Sequence, residues 1–196
     1  MPIARLRDCA QGFTRLLSDE TLPEASILHH GRALLSALIA HDDWLPESFA
    51  RPDPQRYRQY LLHCDALERF SIVSFVWGPG QRTPIHDHTV WGLVGVLRGE
   101  EGAIGYRQTA SGALEAVGES RLKPGDIEAV SPRIGDIHAV FNGLTDRPSI
   151  SIHVYGGNIG AIRRSVFEST NGRPAPFVSG YSSLDLPNLW DRSLEA

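Results

Sequence analysis

Cysteine is scarce in this 196-residue chain, which has only Cys9 and Cys64. They lie in unrelated segments without metal-ligand spacing. That excludes a disulfide framework and suits a reducing compartment. Long apolar runs are missing as well. "ALLSALIA" (33–40) is among the longest and falls far short of the roughly 20 residues that cross a bilayer. The opening "MPIARLRDCAQGF" carries positive charge but no apolar stretch, so no signal peptide is expected and the cytoplasm is the expected location. Charge of one sign is nowhere concentrated. The 19 basic and 23 acidic residues are interspersed and leave a net charge of -4, which gives no footprint for nucleic acid.

What is present suits one domain with a real core, since 41% of the residues are hydrophobic. Ile3, Leu6, Ala10, Phe13 and Leu17 recur at three- and four-residue steps and predict an amphipathic helix. Pro23 opens a second helical run, "EASILHHGRALLSALIAHDDW", which "PESFARPDP" ends because proline lacks a donor and fixes φ. From Tyr57 the character changes. "RYRQYLLHCD", "RFSIVSFVWG", "HTVWGLVGVLRG", "GAIGYRQT", "GDIEAVSP", "DIHAVFNG" and "SISIHVYGG" are short, many rich in β-branched and aromatic residues, and punctuated by Gly, Pro, Asp and Asn. Seven such segments predict a mainly β barrel or sandwich. The expected organisation is a single domain over 1–196, with a helical part at 1–56, a β-barrel at 57–160 and a C-terminal wrap at 161–196. Within that wrap "STNGRPAPFVSGYSSLDLPN" reads as loop.

The chemistry centres on "PIHDHTVWG". In a strand, residues two apart face the same side, so His86 and His88 would point together with Asp87 opposed. Neutral imidazoles suit iron, zinc, copper or nickel. Among eight histidines such a pair also arises by chance. His29, His30, His41 and His63 lack partners and read as surface or satisfied core residues.

The framing of these histidines carries more information. Gly80, five residues, His86-x-His88 and a closing Gly99 resemble the first cupin motif. Gly135-x-x-His138-x-x-x-Asn142 resembles the end of the second, although the spacing before Gly135 is slightly longer than usual. The glutamate that most metal cupins carry after the second His is replaced here by Gly92 and Leu93. Asp136 reads as a turn residue, with a place beside His138 as the alternative. Glu100 and Glu101 read as solvated.

A three-His cupin without that glutamate resembles the cysteine dioxygenase type I family of thiol dioxygenases. The resemblance covers most of the chain and implies a cupin jelly-roll barrel preceded by a helical segment. It implies Fe(II) held by His86, His88 and His138, and a Ser151, His153, Tyr155 element whose members share one strand face. The position at which mammalian members carry a cysteine crosslinked to the tyrosine is Gly92, so the Tyr155 phenol is expected to stay free, as in bacterial members. The carboxylate-binding arginine of the cysteine-specific enzymes falls on Gln59, which resembles the 3-mercaptopropionate dioxygenases. A one-residue shift would place Arg58 there instead. Arg164 is a candidate second contact or a surface arginine. The implied reaction adds both atoms of O2 to the sulfur of a small carboxylate thiol, giving a sulfinic acid. The substrate would be 3-mercaptopropionate first and L-cysteine second. The competing readings are a zinc or nickel cupin and a non-catalytic cupin that binds a small ligand.

Overall fold

A computed structural model describes residues 3–192. The first two residues of the expected helical part and the last four of the expected wrap lie outside that range. Helix α1 (Ala4–Leu16) buries Leu6, Cys9, Ala10 and Phe13. This is the stripe the three- and four-residue spacing predicts. Helix α2 (Glu24–Ile39) begins behind Pro23, whose carbonyl accepts from Ser26 and Ile27. It ends earlier than its apolar pattern suggests. Asp42 and Asp43 turn outward to Arg98 and Arg5, and the Trp44 indole folds back to donate to the Leu38 carbonyl at 2.9 Å. That bond satisfies one of the carbonyls a helix end leaves bare.

Eleven strands follow in two antiparallel sheets. One sheet has the order β1 (Arg58–Cys64), β2 (Ser71–Trp77), β9 (Ser149–Tyr155), β4 (Gly92–Arg98), β7 (Ile127–Val130). The other runs β11 (Pro174–Phe177), β10 (Arg164–Phe167), β3 (Ile85–His86), β8 (His138–Asn142), β5 (Glu101–Gln108), β6 (Leu114–Leu122). Facing antiparallel sheets of short strands with helices before them make this a cupin jelly roll with an N-terminal helical segment.

The helices cover the outer face of the first sheet. Gly95 in β4 lets them pack closely: a Cβ there would lie 2.8 Å from Ile39 Cδ1. Leu93, Ile152 and Val154 point outward into one core with Leu6, Phe13, Leu35 and Leu38. Their strand neighbours point inward, where Val73, Phe75, Trp77 and Tyr155 form a second cluster. Every residue of β2 and β9 is therefore buried. β9 lies between β2 and β4, at the centre of its sheet.

Three strands, β6, β10 and β11, lie where the sequence reads as loop or is silent. β6 is exposed over most of its length, so burial imposes no alternation on it. β11 holds Pro174 and Pro176 and sits at a sheet edge, the place that tolerates missing donors.

Phe13 ties these layers together. It is fully buried, with its ring centroid 5.6 Å from that of Phe70 and 6.3 Å from that of Trp91. Phe13→Ala should cost about 3–5 kcal/mol of unfolding free energy through lost burial and a residual cavity. Urea denaturation followed by tryptophan fluorescence measures it. A loss below about 1 kcal/mol would mean that the helices do not stabilise the barrel as described.

Candidate metal centre and its cavity

The three predicted ligands come together. One nitrogen from each of His86, His88 and His138 falls within 4.8 Å of the others, and no other such group of His, Cys, Asp or Glu occurs among the described residues. Ring centroids are 4.8–4.9 Å apart. The route to this convergence differs from the expectation of one continuous strand. β3 ends at His86, and Thr89 takes a positive φ of 62°. His86 is placed by its register against His138 across the β3–β8 ladder. His88 is placed by Asp136.

Asp136 is the residue the sequence reading undervalued. One carboxylate oxygen accepts from His88 Nδ1 at 2.9 Å. The other accepts from the backbone N–H groups of His88 at 3.0 Å and Thr89 at 2.9 Å. It is thus neither a plain turn residue nor a fourth ligand. It fixes the His88 tautomer so that Nε2 carries the free lone pair. Burial alone would raise its pKa, but these hydrogen bonds hold the carboxyl below its ordinary value. His86 is oriented in the same sense by donating from Nδ1 to the Pro84 carbonyl at 3.0 Å. Asp87 points away and accepts from the Ser165 N–H at 2.7 Å.

The electrostatics suit a cation. Burial, then the neighbouring His88, lowers the pKa of His86 to about 3. Burial lowers His88 too, and burial with the two other rings lowers His138 well below the ordinary histidine value. All three are neutral near pH 7 and keep lone pairs for a metal. His138 Nε2 is fully buried with no hydrogen-bond partner. An orphan of this kind, facing two other imidazoles, fits a metal ligand.

A cavity of about 380 Å³ opens on this cluster and is also lined by Gln59, Phe75, Tyr155 and Arg164. Gln59 faces it. Arg58 does not: it pairs with Asp53 on the other side of β1. Gln59 is already engaged, because its amide donates to Ser179 Oγ at 2.9 Å and to the Gly180 carbonyl at 2.6 Å. Arg164 is no surface residue. It is 5% exposed, donates to Ser179 Oγ at 2.7 Å, and leaves a buried Nε with no partner. The segment 177–182 forms one wall of the cavity.

Ser151, His153 and Tyr155 line the inward face of β9. Ser151 Oγ lies 2.8 Å from His153 Nε2, and His153 Nδ1 lies 2.8 Å from the Tyr155 hydroxyl. Burial raises the Tyr155 pKa well above its ordinary value, so the phenol is protonated. Its ring stacks on His88 at 5.3 Å. Gly92 is its cross-strand partner, and a Cβ there would come within 2.8 Å of the tyrosine ring. Glu101 corrects a second expectation. It is 3% exposed rather than solvated, and its carboxylate accepts from Ser151 Oγ. Glu100, by contrast, pairs with Arg121 at the barrel surface.

Residues 34–166 match the family model "Cysteine dioxygenase type I". The chain belongs to this family. Over 118 residues it is 29% identical to cysteine dioxygenase type 1 of Danio rerio, covering 58% of this chain and 56% of that protein. The chain therefore spans little more than half the length of this relative. Partial structural likenesses include a protein of Thermus thermophilus (21% identity, TM-score 0.44, 57% of this chain and 92% of that one). Another is a Klebsiella pneumoniae protein with a double-stranded β-helix domain (24% identity, TM-score 0.44, 58% and 89%). Among the described residues no helix is long and apolar enough to cross a membrane.

Asp136→Asn tests the orientation of His88. The amide cannot accept at both oxygens, and its N–H group would face backbone donors. Affinity for a divalent metal, measured by chelator competition with Zn(II) as probe, should fall about 10- to 100-fold. An unchanged affinity would show that His88 needs no such partner.

Proposed function

We propose that this chain is a non-haem Fe(II) thiol dioxygenase, oxidising a small carboxylate thiol to its sulfinic acid with both atoms of O2. One observation carries the reading: His86 and His138, two of three neutral, facing imidazoles, line one cavity together with a protonated tyrosine and a buried arginine that has an unpartnered N–H. His86, His88 and His138 would hold the iron, which when bound supplies the redox chemistry between O2 and sulfur. With no carboxylate among the ligands the centre keeps a net positive charge, which favours a thiolate.

The protein's own residues then position the substrate. Arg164 is the group for the carboxylate. Its charge is buried, one of its N–H groups is unused, and charge-assisted pairing of guanidinium with carboxylate is strong. Gln59 contributes indirectly. It lines the cavity, yet its amide protons hold Ser179 and Gly180, and Ser179 in turn holds Arg164. With a neutral amide in place of a second cationic fork, the pocket favours 3-mercaptopropionate over L-cysteine. Tyr155, with His153 and Ser151 behind it, serves the chemistry from the opposite wall.

Anaerobic loading with Fe(II), followed by oxygen consumption and sulfinate detection over a panel of thiols, tests the reading. One sulfinate per O2 is expected, and His138→Ala should abolish stoichiometric iron. Oxygen uptake that ignores added thiol would overturn the assignment in favour of a non-catalytic or other metal cupin. Arg164→Ala should raise KM for 3-mercaptopropionate by about tenfold to a hundredfold, the worth of a charged hydrogen bond, while KM for a thiol without a carboxylate stays within about twofold. Equal losses for both thiols would remove Arg164 from carboxylate recognition.

A further inference from the structure

Ser151 Oγ has three polar neighbours, and their chemistry leaves little freedom. Trp77 Nε1, at 3.2 Å, can only donate. His153 Nε2 lies at 2.8 Å, and Glu101 Oε2 is in hydrogen-bond contact. The second carboxylate–imidazole contact is longer, at 3.6 Å between Glu101 Oε2 and His153 Nε2. Glu101 starts β5 directly after the turn at Gly99, which takes φ of +76°. That turn sends its side chain across the barrel interior, from one sheet to the central strand of the other. Its neighbour Glu100 takes the ion pair with Arg121, while the Glu101 carboxylate faces Ser151 and His153.

Ser151 Oγ is placed to donate to the Glu101 carboxylate. The single Ser151 proton must then go to Glu101. Both lone pairs of Ser151 Oγ are left to accept, one from Trp77 and one from His153. His153 must therefore carry its proton on Nε2, and its bare Nδ1 must accept from Tyr155. The tyrosine proton then points away from the three-histidine cluster, and the phenolic oxygen offers the cavity a lone pair.

Resting on the dioxygenase reading, we propose that Glu101 is the positioning residue that sets the direction of the Tyr155–His153–Ser151 chain and receives through it the proton shed by the thiol. The transfer balances. The S–H proton passes to Tyr155 Oη, the tyrosine proton to His153 Nδ1, the Nε2 proton to Ser151 Oγ, and the serine proton to Glu101. The thiol becomes a thiolate and the carboxylate a carboxyl, with no change of oxidation state. Oxidation of a thiol to a sulfinate releases one proton overall. That proton leaves by the reverse path when product departs. Without the Glu101 carboxylate the serine is free to donate to His153, and the chain presents a proton to the cavity where it should accept one.

The test reads the His153 tautomer directly. Long-range 1H–15N correlation spectra of the Zn(II)-loaded protein, labelled at histidine nitrogens, should show His153 protonated on Nε2 and bare on Nδ1. In Glu101→Leu the pattern should invert, because Ser151 then has only His153 to donate to. A wild-type proton on Nδ1, or an unchanged pattern in the Leu variant, overturns the proposal. The near-isosteric Glu101→Gln covers the case in which Leu fails to fold. It should bind metal and thiol as wild type does while losing about a hundredfold in kcat, the usual scale of a general base. That loss should shrink for thiols with more acidic S–H groups. A loss independent of thiol acidity would mark a merely structural role and overturn the proton path. The spectra need no turnover. An Nε2 tautomer in a protein that oxidises no thiol would sink the dioxygenase reading and the proton's origin in a thiol, but not the orienting role of Glu101.

Discussion

The interior of this barrel is organised by the burial of β9 on both faces. Two helices roof the outside of its sheet, so Ile150, Ile152 and Val154 are as enclosed as the residues that face the barrel. A strand in that position cannot leave Ser151, His153 and Tyr155 to water. Each must find its partner within the protein, since an unpaired buried polar group costs about 1–3 kcal/mol. The strand period places them two residues apart on one face, near enough to satisfy one another in a line. A polar chain aimed at the metal cluster is the result, held in place by apolar packing on the reverse of the same strand.

The same principle explains the ligands. Three imidazoles packed together in a dry pocket cannot all be charged, and burial settles them as neutral. Their remaining nitrogens are disposed differently. His86 uses a backbone carbonyl, and His88 uses a carboxylate that also ties down two backbone N–H groups. The sharp turn after His86 is possible because Asp136 holds the other side of it. Local chain geometry and ligand orientation therefore rest on one side chain contributed from 48 residues away.

Much of this was legible in the sequence. The helical stripe of α1 and the strand segments are periodic or framed by glycine and proline, signals that survive without knowledge of the fold, while the three histidines and the Ser151–His153–Tyr155 element came through the resemblance to a family. Asp136 and Glu101 were not legible, because acidic residues beside glycines usually cap turns in water. What takes them inside is register: Asp136 meets His88 only when the loop before β8 crosses the end of β3, and Glu101 meets Ser151 only when the two sheets face each other. β11 was hidden by its prolines and β6 by its polarity. Arg164 was left open because its burial depends on a wall built from residues that carry no pattern at all.

That wall has a consequence for the order in which the site can be built. The ligand set is complete once the chain reaches residue 138, the polar chain at 155 and the cation at 164. The enclosure waits for 177–182, which Gln59 fastens from a position 120 residues earlier. During synthesis the metal cluster can thus form while its cavity is still open on one side. Selectivity for the shape of an incoming molecule is the last property the growing chain acquires.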